Sequence, residues 1–191
     1  MGKLFIISAP SGAGKTSLVH AIMDRVSPRY PLKRLITYTS RAPRTNDING
    51  IDYHFVSPSE FERKIAEGFF MEWSNVYGAY YGSPHSALDE IQKGISYIVI
   101  LDRAGTRQVV EKTTLAVPIW VTPPTIEVLE QRLRNRNTET IGQIERRLWL
   151  AKQEIEEEEC QLFYPHHVIN NEFEKAVADL EALIVAEINA Y

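Results

Sequence analysis

The chain has 191 residues, enough for one domain with a sizeable core and small inserted subdomains. Its 44% hydrophobic and 24% charged residues are ordinary for a globular protein, and a net charge of -4 argues against a general binder of nucleic acid or membrane surfaces. The one cysteine, Cys160, excludes an intramolecular disulfide and fits a reducing, cytoplasmic setting; the N-terminal apolar run is too short for a secretory signal, and no run approaches a membrane span.

Leu4-Phe5-Ile6-Ile7 predicts a strand, and residues 16–26 predict a helix with Leu18, Val19, Ile22 and Met23 on one face, stopped by Pro28 and Pro31. A short strand is expected over 35–38, a turn-rich charged stretch over 40–52 and a second short strand over 53–56. Ser57-Pro58-Ser59-Glu60 is a helix start, with Ser as N-cap, Pro at the first position and Glu at the third. Phe61 and Ile65 then share a face, and Gly68 closes the helix. Residues 69–76 predict a strand and 77–82 a tyrosine- and glycine-rich loop. Ser83-Pro84 predicts the next helix start, with Ala87, Leu88 and Ile91 inward and Gly94 at the end. The apolar runs over 97–101 and 116–121 are those of strands buried on both faces of a parallel sheet. Thr122 is the candidate cap of a helix opening at Pro123-Pro124 and carrying Ile126, Leu129 and Leu133, broken over 134–137. A longer helix is expected over 141–159, with Ile144, Leu148, Ala151 and Ile155 on one face, then a strand over 167–169 and a helix over 172–188. The acidic run 154–159 reads as a solvated helix face. Strands alternating with helices imply an α/β fold with a mainly parallel sheet, without internal repeats or interdomain linkers.

Two stretches carry chemistry. Ser8-Ala9-Pro10-Ser11-Gly12-Ala13-Gly14-Lys15-Thr16-Ser17 sits between strand and helix, the setting of a phosphate-binding loop, although Ala9 stands where the usual pattern begins with glycine. Its backbone N–H groups can wrap a di- or triphosphate, Lys15 can reach the β and γ phosphates, and the Thr16 hydroxyl can sit on Mg²⁺. Thr39-Ser40-Arg41-Ala42-Pro43-Arg44 places two arginines three apart across a proline. They suit one phosphate, completed by the hydroxyls of Tyr53 and Tyr81; a basic surface turn is the alternative reading. His166-His167 has no further ligands nearby and reads as a strand edge.

Over roughly residues 3 to 185 the sequence resembles the guanylate kinases. The loop resembles the bacterial form, alanine for the first glycine included. Thr39-Ser40-Arg41-Ala42-Pro43-Arg44 followed by Asn49-Gly50-Ile51-Asp52-Tyr53-His54-Phe55-Val56 resembles T-T-R-x-P-R…G-x-D-Y-x-F-V. Phe70-Met71-Glu72-Trp73, Gly78-Ala79-Tyr80-Tyr81-Gly82-Ser83 and Val168-Ile169-Asn170-Asn171 resemble F-x-E-W, G-x-Y-Y-G-[ST] and V-x-N-[DN]. Pro123-Pro124, Arg132-Leu133, Arg136 and Arg146-Arg147-Leu148 fall where the lid motifs lie.

The resemblance implies a P-loop NTPase fold: a parallel sheet flanked by helices, a small mixed GMP-binding insertion and a helical lid. It implies one domain over 2–185, with core 2–33, 91–125 and 161–191, a GMP-binding region over about 34–90 and a lid over about 126–160. The implied reaction is transfer of the γ-phosphate of ATP to GMP, in purine nucleotide metabolism, with Mg²⁺ and with no nucleic acid or membrane partner. ATP falls to Ala9, Pro10, Ser11, Gly12, Ala13, Gly14, Lys15, Thr16, Ser17 and Asn170, and GMP to Thr37, Arg41, Arg44, Tyr53, Glu72, Tyr81, Ser83 and Asp102. Glu72 would accept the guanine N1–H and 2-amino group, and Ser83 has helix capping as its alternative. Lys15, Arg41, Arg132, Arg136 and Arg147 would neutralise charge during transfer, and Mg²⁺ would rest on Thr16, with Asp102 a candidate through water. The family's Asp-x-Asp, x-Gln-Gly segment reads Ile100-Leu101-Asp102-Arg103-Ala104-Gly105 here, so the first acid and the glutamine are replaced; Asn135 and Asn137 stand where glycines are common. Two rivals are a ribose bisphosphate phosphokinase type, which shares the loop but reads no guanine, and a non-catalytic guanylate-kinase-like interaction module. Oligomeric state is left open.

Overall fold

The structure, a computed structural model, describes residues 1–45, 47–76, 78–135 and 140–190. In chain order these form β1 (Leu4–Ser8), α1 (Lys15–Val26), β2 (Leu32–Arg34), β3 (Tyr38–Thr39), β4 (His54–Phe55), α2 (Pro58–Ala66), β5 (Phe70–Val76), β6 (Ala79–Pro84), α3 (Ser86–Gln92) and β7 (Ser96–Ile100). Then follow α4 (Arg103–Lys112), β8 (Ala116–Thr122), α5 (Ile126–Arg134), α6 (Ile141–Cys160), β9 (His166–Ile169) and α7 (Phe173–Asn189). The chain divides into two compact units, Met1–Ile6 with Tyr30–Val117, and Ile7–Arg29 with Pro118–Ala190. Strands β1 and β8 each run through a division point.

In the first unit the neighbouring strands run β2-β7-β1, and β2 pairs with β7 in parallel, Leu32 opposite Ser96. Leu4, Ile6, Tyr97, Val99 and Leu101 form a core with Met71, Ala87, Ile91 and Val109. A second sheet runs β4-β3-β6-β5, with β6 antiparallel to both β3 and β5. Helix α2 begins as its sequence requires: Ser57 Oγ accepts from the Glu60 N–H, and Pro58 opens the helix. It buries Phe61, stacked on Phe70 and Tyr80 at 4.4 and 5.2 Å between ring centroids. Strand β5 is a sheet edge, and α4 supplies it with partners. The Gln108 amide exchanges two hydrogen bonds with the Trp73 backbone, at 3.2 and 2.8 Å, and Lys112 Nζ donates to the Met71 carbonyl.

In the second unit the neighbouring strands run β1-β8-β9, with β9 parallel to β8, Ile119 opposite His166. Helices α1 and α7 lie against each other, and they bury Leu18, Val19 and Ile22 of one and Ala176, Val177, Leu180 and Ile184 of the other. The ion pair Arg25–Glu174 joins the same two helices, and Arg29, just beyond α1, pairs with Glu181 of α7. Leu129 and Leu133 of α5 pack with Ile144 and Ala151 of α6. Thr140 and Gln143 close a capping box at the α6 N-terminus. No helix among the described residues is long and apolar enough to cross a membrane.

Several sequence expectations need correction. The strand expected over 35–38 falls between two strands: β2 joins the parallel sheet and β3 the mixed one. The loop expected over 77–82 is largely β6: its residues from Ala79 onward pair with β5 on one side, and Tyr81 and Gly82 pair with β3 on the other. Ser83 and Pro84 belong to that strand, so α3 starts at Ser86 and Ser83 caps no helix. Thr125, not Thr122, caps α5, accepting from the Val128 N–H. Helix α4 was not anticipated at all. The expected break over 134–137 begins at Asn135, the C-cap of α5; residues 136 and 137 lie outside the described residues.

Candidate functional site

The second unit holds the loop between β1 and α1. Gly12 and Gly14 adopt left-handed φ of 93 and 92°. At Gly14 a side chain fails for a further reason: a Cβ would lie 2.6 Å from Asn170 Nδ2. Asn170, 4% exposed and one residue beyond β9, donates from Nδ2 to the Ala13 carbonyl at 2.8 Å, so the end of β9 fixes the loop. Lys15 opens α1 and folds over the loop, its Nζ donating to the Ala9 and Pro10 carbonyls at 2.6 and 3.1 Å. The N-terminus of α1 adds its partial positive charge.

Two of the expected lid arginines reach the same region. Arg132 on α5 donates from Nη2 to the Asn170 carbonyl at 2.9 Å, while its Nη1 is buried without a hydrogen-bond partner, as is Asn170 Oδ1. Arg147 on α6 donates from Nη1 to Ser11 Oγ at 2.9 Å. Arg136 lies outside the described residues. Thr16 and Ser17 are exposed on the first turn of α1. A hard cation that draws most of its oxygens from phosphates and water needs one protein hydroxyl rather than a carboxylate cage, and Thr16 beside Lys15 fits Mg²⁺ on that ground.

The first unit holds the other expected residues. Thr39 Oγ1 and Ser40 Oγ tie the end of β3 to the Tyr80 backbone at 2.9 Å each, and the Arg41 N–H donates to Thr39 Oγ1. The Arg41 guanidinium lies 5.5 Å from the Tyr53 ring centroid and 5.7 Å from that of Phe55. Tyr53 and Tyr81 pack edge to face at 5.9 Å. Arg41 also pairs with Asp47 at 2.8 Å. Burial alone would lower the guanidinium, but the bond and charge of Asp47 outweigh it and raise Arg41 above its ordinary value. Burial likewise pushes the Tyr53 phenol up. Arg44 is exposed.

Glu72 sits on β5 opposite Ser83 on β6, and the two side chains are 2% and 0% exposed; Thr37 is buried as well. Desolvation pushes the Glu72 carboxyl up to about 7. The Asp102 charge adds to the rise, while Ser83 and Lys112 hold it back. Glu72 Oε1 and Ser83 Oγ nonetheless fall short of hydrogen-bond geometry with any neighbour. Asp102 caps α4, its Oδ1 accepting from the Gly105 N–H and its Oδ2 from Ser74 Oγ, each at 2.7 Å. Ile100 ends β7 half-buried, and Ala104 is exposed in the first turn of α4.

Sequence reasoning missed Asp47, Ser74, Gly105 and Gln108 as neighbours of these groups. Only Gly105 had a visible signal, as the glycine of the x-Gln-Gly segment.

An arginine pair beside two tyrosines, a buried carboxylate facing a buried serine, and a phosphate-binding loop with converging arginines all occur in one chain of this length. Comparison with known proteins agrees with that combination. The guanylate kinase family model matches residues 1–187. The guanylate kinase of Myxococcus xanthus is 41% identical over 187 residues, covering 97% of this chain and 87% of its own. That of Syntrophotalea carbinolica is 40% identical, covering 97% and 86%. The crystal structure of guanylate kinase from Anaplasma phagocytophilum superposes with a TM-score of 0.78 at 26% identity, covering 98% of this chain and 87% of its own. With both the motifs and the fold matched along almost the whole length, the chain belongs to the guanylate kinase family.

Proposed function

We infer that the chain is an ATP:GMP phosphotransferase, making ADP and GDP in purine nucleotide metabolism. The observation that carries the choice of acceptor is Glu72: a buried carboxylate with an unpartnered oxygen, beside the unpartnered hydroxyl of Ser83. Guanine presents two adjacent donors, N1–H and the 2-amino group, and an ionised carboxylate accepts both. Adenine carries a lone pair at N1 and is repelled. Leaving such a carboxylate unsatisfied is expensive, so discrimination between the two bases is large.

Arg41, Arg44, Tyr53 and Tyr81 hold the phosphate of GMP, with Thr37, Ser83 and Asp102 supporting the base. The loop from Ala9 through Ser17, with Asn170, holds the ATP phosphates. The acceptor phosphate is largely dianionic near neutral pH, so no general base is required. Catalysis is positioning and charge neutralisation. Lys15 and Arg147 supply positive charge where the γ-phosphate oxygens gather negative charge, Arg132 adds to it, and Arg136 is assigned the same task by its place in the motif. Thr16 would hold Mg²⁺, which would supply further positive charge to the ATP phosphates. Residues 34–90 act as the GMP-binding region and 126–160 as a lid whose arginines exclude water from the transfer, within a core of 2–33, 91–125 and 161–191. The lone Cys160 supports a cytoplasmic setting.

A coupled assay across GMP, AMP, CMP and UMP with ATP and Mg²⁺ tests the reading. Turnover confined to GMP is expected. Activity only on a ribose bisphosphate would replace the acceptor, and tight peptide binding without turnover would make the protein an interaction module.

A further inference from the structure

In the acceptor region, Arg41 is held on several sides before any phosphate arrives. Asp47 Oδ2 accepts from Arg41 Nη2 at 2.8 Å and from the Arg44 backbone N–H at 2.8 Å. The Asp47 N–H donates back to the Arg44 carbonyl at 3.0 Å, closing the turn that carries the second arginine. Arg41 Nη1 donates to the Ala42 carbonyl at 3.0 Å, and the rings of Tyr53 and Phe55 lie beside the guanidinium. One carboxylate oxygen thus sets both the rotamer of Arg41 and the backbone that presents Arg44.

We propose that Asp47 is a positioning residue for the acceptor phosphate: it pre-orders Arg41 and the Arg44 turn, so that GMP binds without first ordering them. The proposal rests on the assignment of Arg41 and Arg44 to that phosphate. An exposed ion pair would carry little weight. This one is shielded, with the two side chains 19% and 17% exposed. An unrestrained arginine has many rotamers, and freezing one on binding costs affinity that pre-ordering saves.

Asp47 is also an anion placed near an incoming dianion, and repulsion works the other way. Ordering prevails because Asp47 and Ala42 together occupy two of the five N–H donors of Arg41, leaving the others and the exposed Arg44 guanidinium for phosphate. The paired Asp47 carboxyl is held below its ordinary value: burial opposes the shift, and hydrogen bonds from Arg44 and Arg41 outweigh it. The restraint therefore persists at neutral pH.

The test compares GMP with guanosine, which has the base but no phosphate, by NMR titration of wild type, Arg41→Ala, Asp47→Ala, Asp47→Asn and Asp47→Glu. Asp47→Ala is expected to raise the GMP dissociation constant about tenfold, the scale of one long side chain left to be ordered, with guanosine unchanged within about twofold. Asp47→Asn keeps an accepting oxygen and Asp47→Glu keeps the charge, so each recovers part of the loss. In turnover, KM for GMP rises while kcat and KM for ATP stay within about twofold. An unchanged or tighter GMP affinity in Asp47→Ala, with Arg41→Ala still losing GMP selectively, overturns the proposal and leaves the acceptor assignment standing. Equal retention of GMP and guanosine by Arg41→Ala overturns both. If Asp47→Ala loses guanosine as well, the region has lost its fold and Asp47→Asn decides. A loss confined to GMP there supports the proposal, and equal losses overturn it.

Discussion

Glu72 is held at about 7 from an ordinary value of 4.5, and burial is the main cause. A carboxyl raised on folding binds its proton more tightly in the folded state. Its contribution to stability is therefore whole below about 4.5 and is lost as pH climbs through 7. The shift corresponds to about 3 kcal/mol across that window. Glu72→Gln has nothing to titrate, so its stability relative to wild type should improve from pH 5 to pH 8 in urea unfolding of the ligand-free protein; a flat difference would show the carboxylate to be better solvated than its surroundings indicate. Guanine favours the ionised form, which reverses the dependence for binding. Affinity for guanosine, chosen because the GMP phosphate itself titrates near 6, should fall about tenfold per unit as pH drops below 7. Glu72→Gln should abolish that dependence and raise KM for GMP about 100-fold, with KM for ATP barely moved. Gly105 belongs to the same account. A Cβ there would lie 2.6 Å from Glu72 Oε2 and 3.3 Å from Asp102 Oδ1. Gly105→Ala must push the Glu72 carboxylate aside, and if Glu72 reads the base as proposed we expect KM for GMP to rise at least about tenfold with a stability loss of about 1–3 kcal/mol. Equal effects on GMP and ATP kinetics would place Gly105 outside the base site.

Among the elements, α4 holds the edge of β5 through Gln108 and Lys112, and it was the least legible in the sequence. Its inward residues are Gly105, Thr106 and Val109, too small to produce an apolar stripe in an otherwise charged segment. Asp102, which caps the helix, stands in the sequence as a candidate for GMP and Mg²⁺ and not as a helix start. Strand β6 was hidden for a related reason: Tyr80-Tyr81-Gly82 carries turn-like composition, and its strand character comes from neighbours on both sides. By contrast α2 announced itself through Ser57, Pro58 and Glu60, since capping is a local affair. The same division holds for the site. Lys15, Arg41 and Glu72 lie in contiguous motifs, whereas Gln108 and Ser74 act across 35 and 28 residues on partners no spacing reveals. Gln108→Ala removes both bonds to the Trp73 backbone at the edge of β5. A loss of about 1–2 kcal/mol is expected, with faster exchange of the Trp73 amide and a weaker grip on GMP. Unchanged exchange at Trp73 would mean that α4 covers β5 by packing alone.

At the scale of the molecule, the candidate residues divide between the two units. Thr37, Arg41, Arg44, Tyr53, Glu72, Tyr81, Ser83 and Asp102 belong to the unit of Tyr30–Val117, whereas Ala9 through Ser17, Arg132, Arg147 and Asn170 belong to that of Ile7–Arg29 and Pro118–Ala190. No linker marks the division, because β1 and β8 pass through it as continuous strands. Each unit has its own apolar cluster, one around Met71 and Val99 and the other around Leu129 and Ile144. Ligands that engage different units should leave different footprints on local opening. A ligand at 100 times its dissociation constant stabilises its bound state by about 2.7 kcal/mol, which slows exchange of amides that open only when the ligand leaves by about 100-fold. In hydrogen exchange, GMP alone should protect residues 37–55 and 72–83 most strongly. A non-hydrolysable ATP analogue with Mg²⁺ should instead protect 9–17 and the segments carrying Arg147 and Asn170. Asp47→Ala should shrink the GMP footprint over 40–55 while leaving that over 72–83, since the proposed contact of the base with Glu72 is untouched. If GMP protected the loop over 9–17 more than it protects 37–55, the acceptor would belong to the other unit, and the roles given to Arg41 and Glu72 would have to be reassigned.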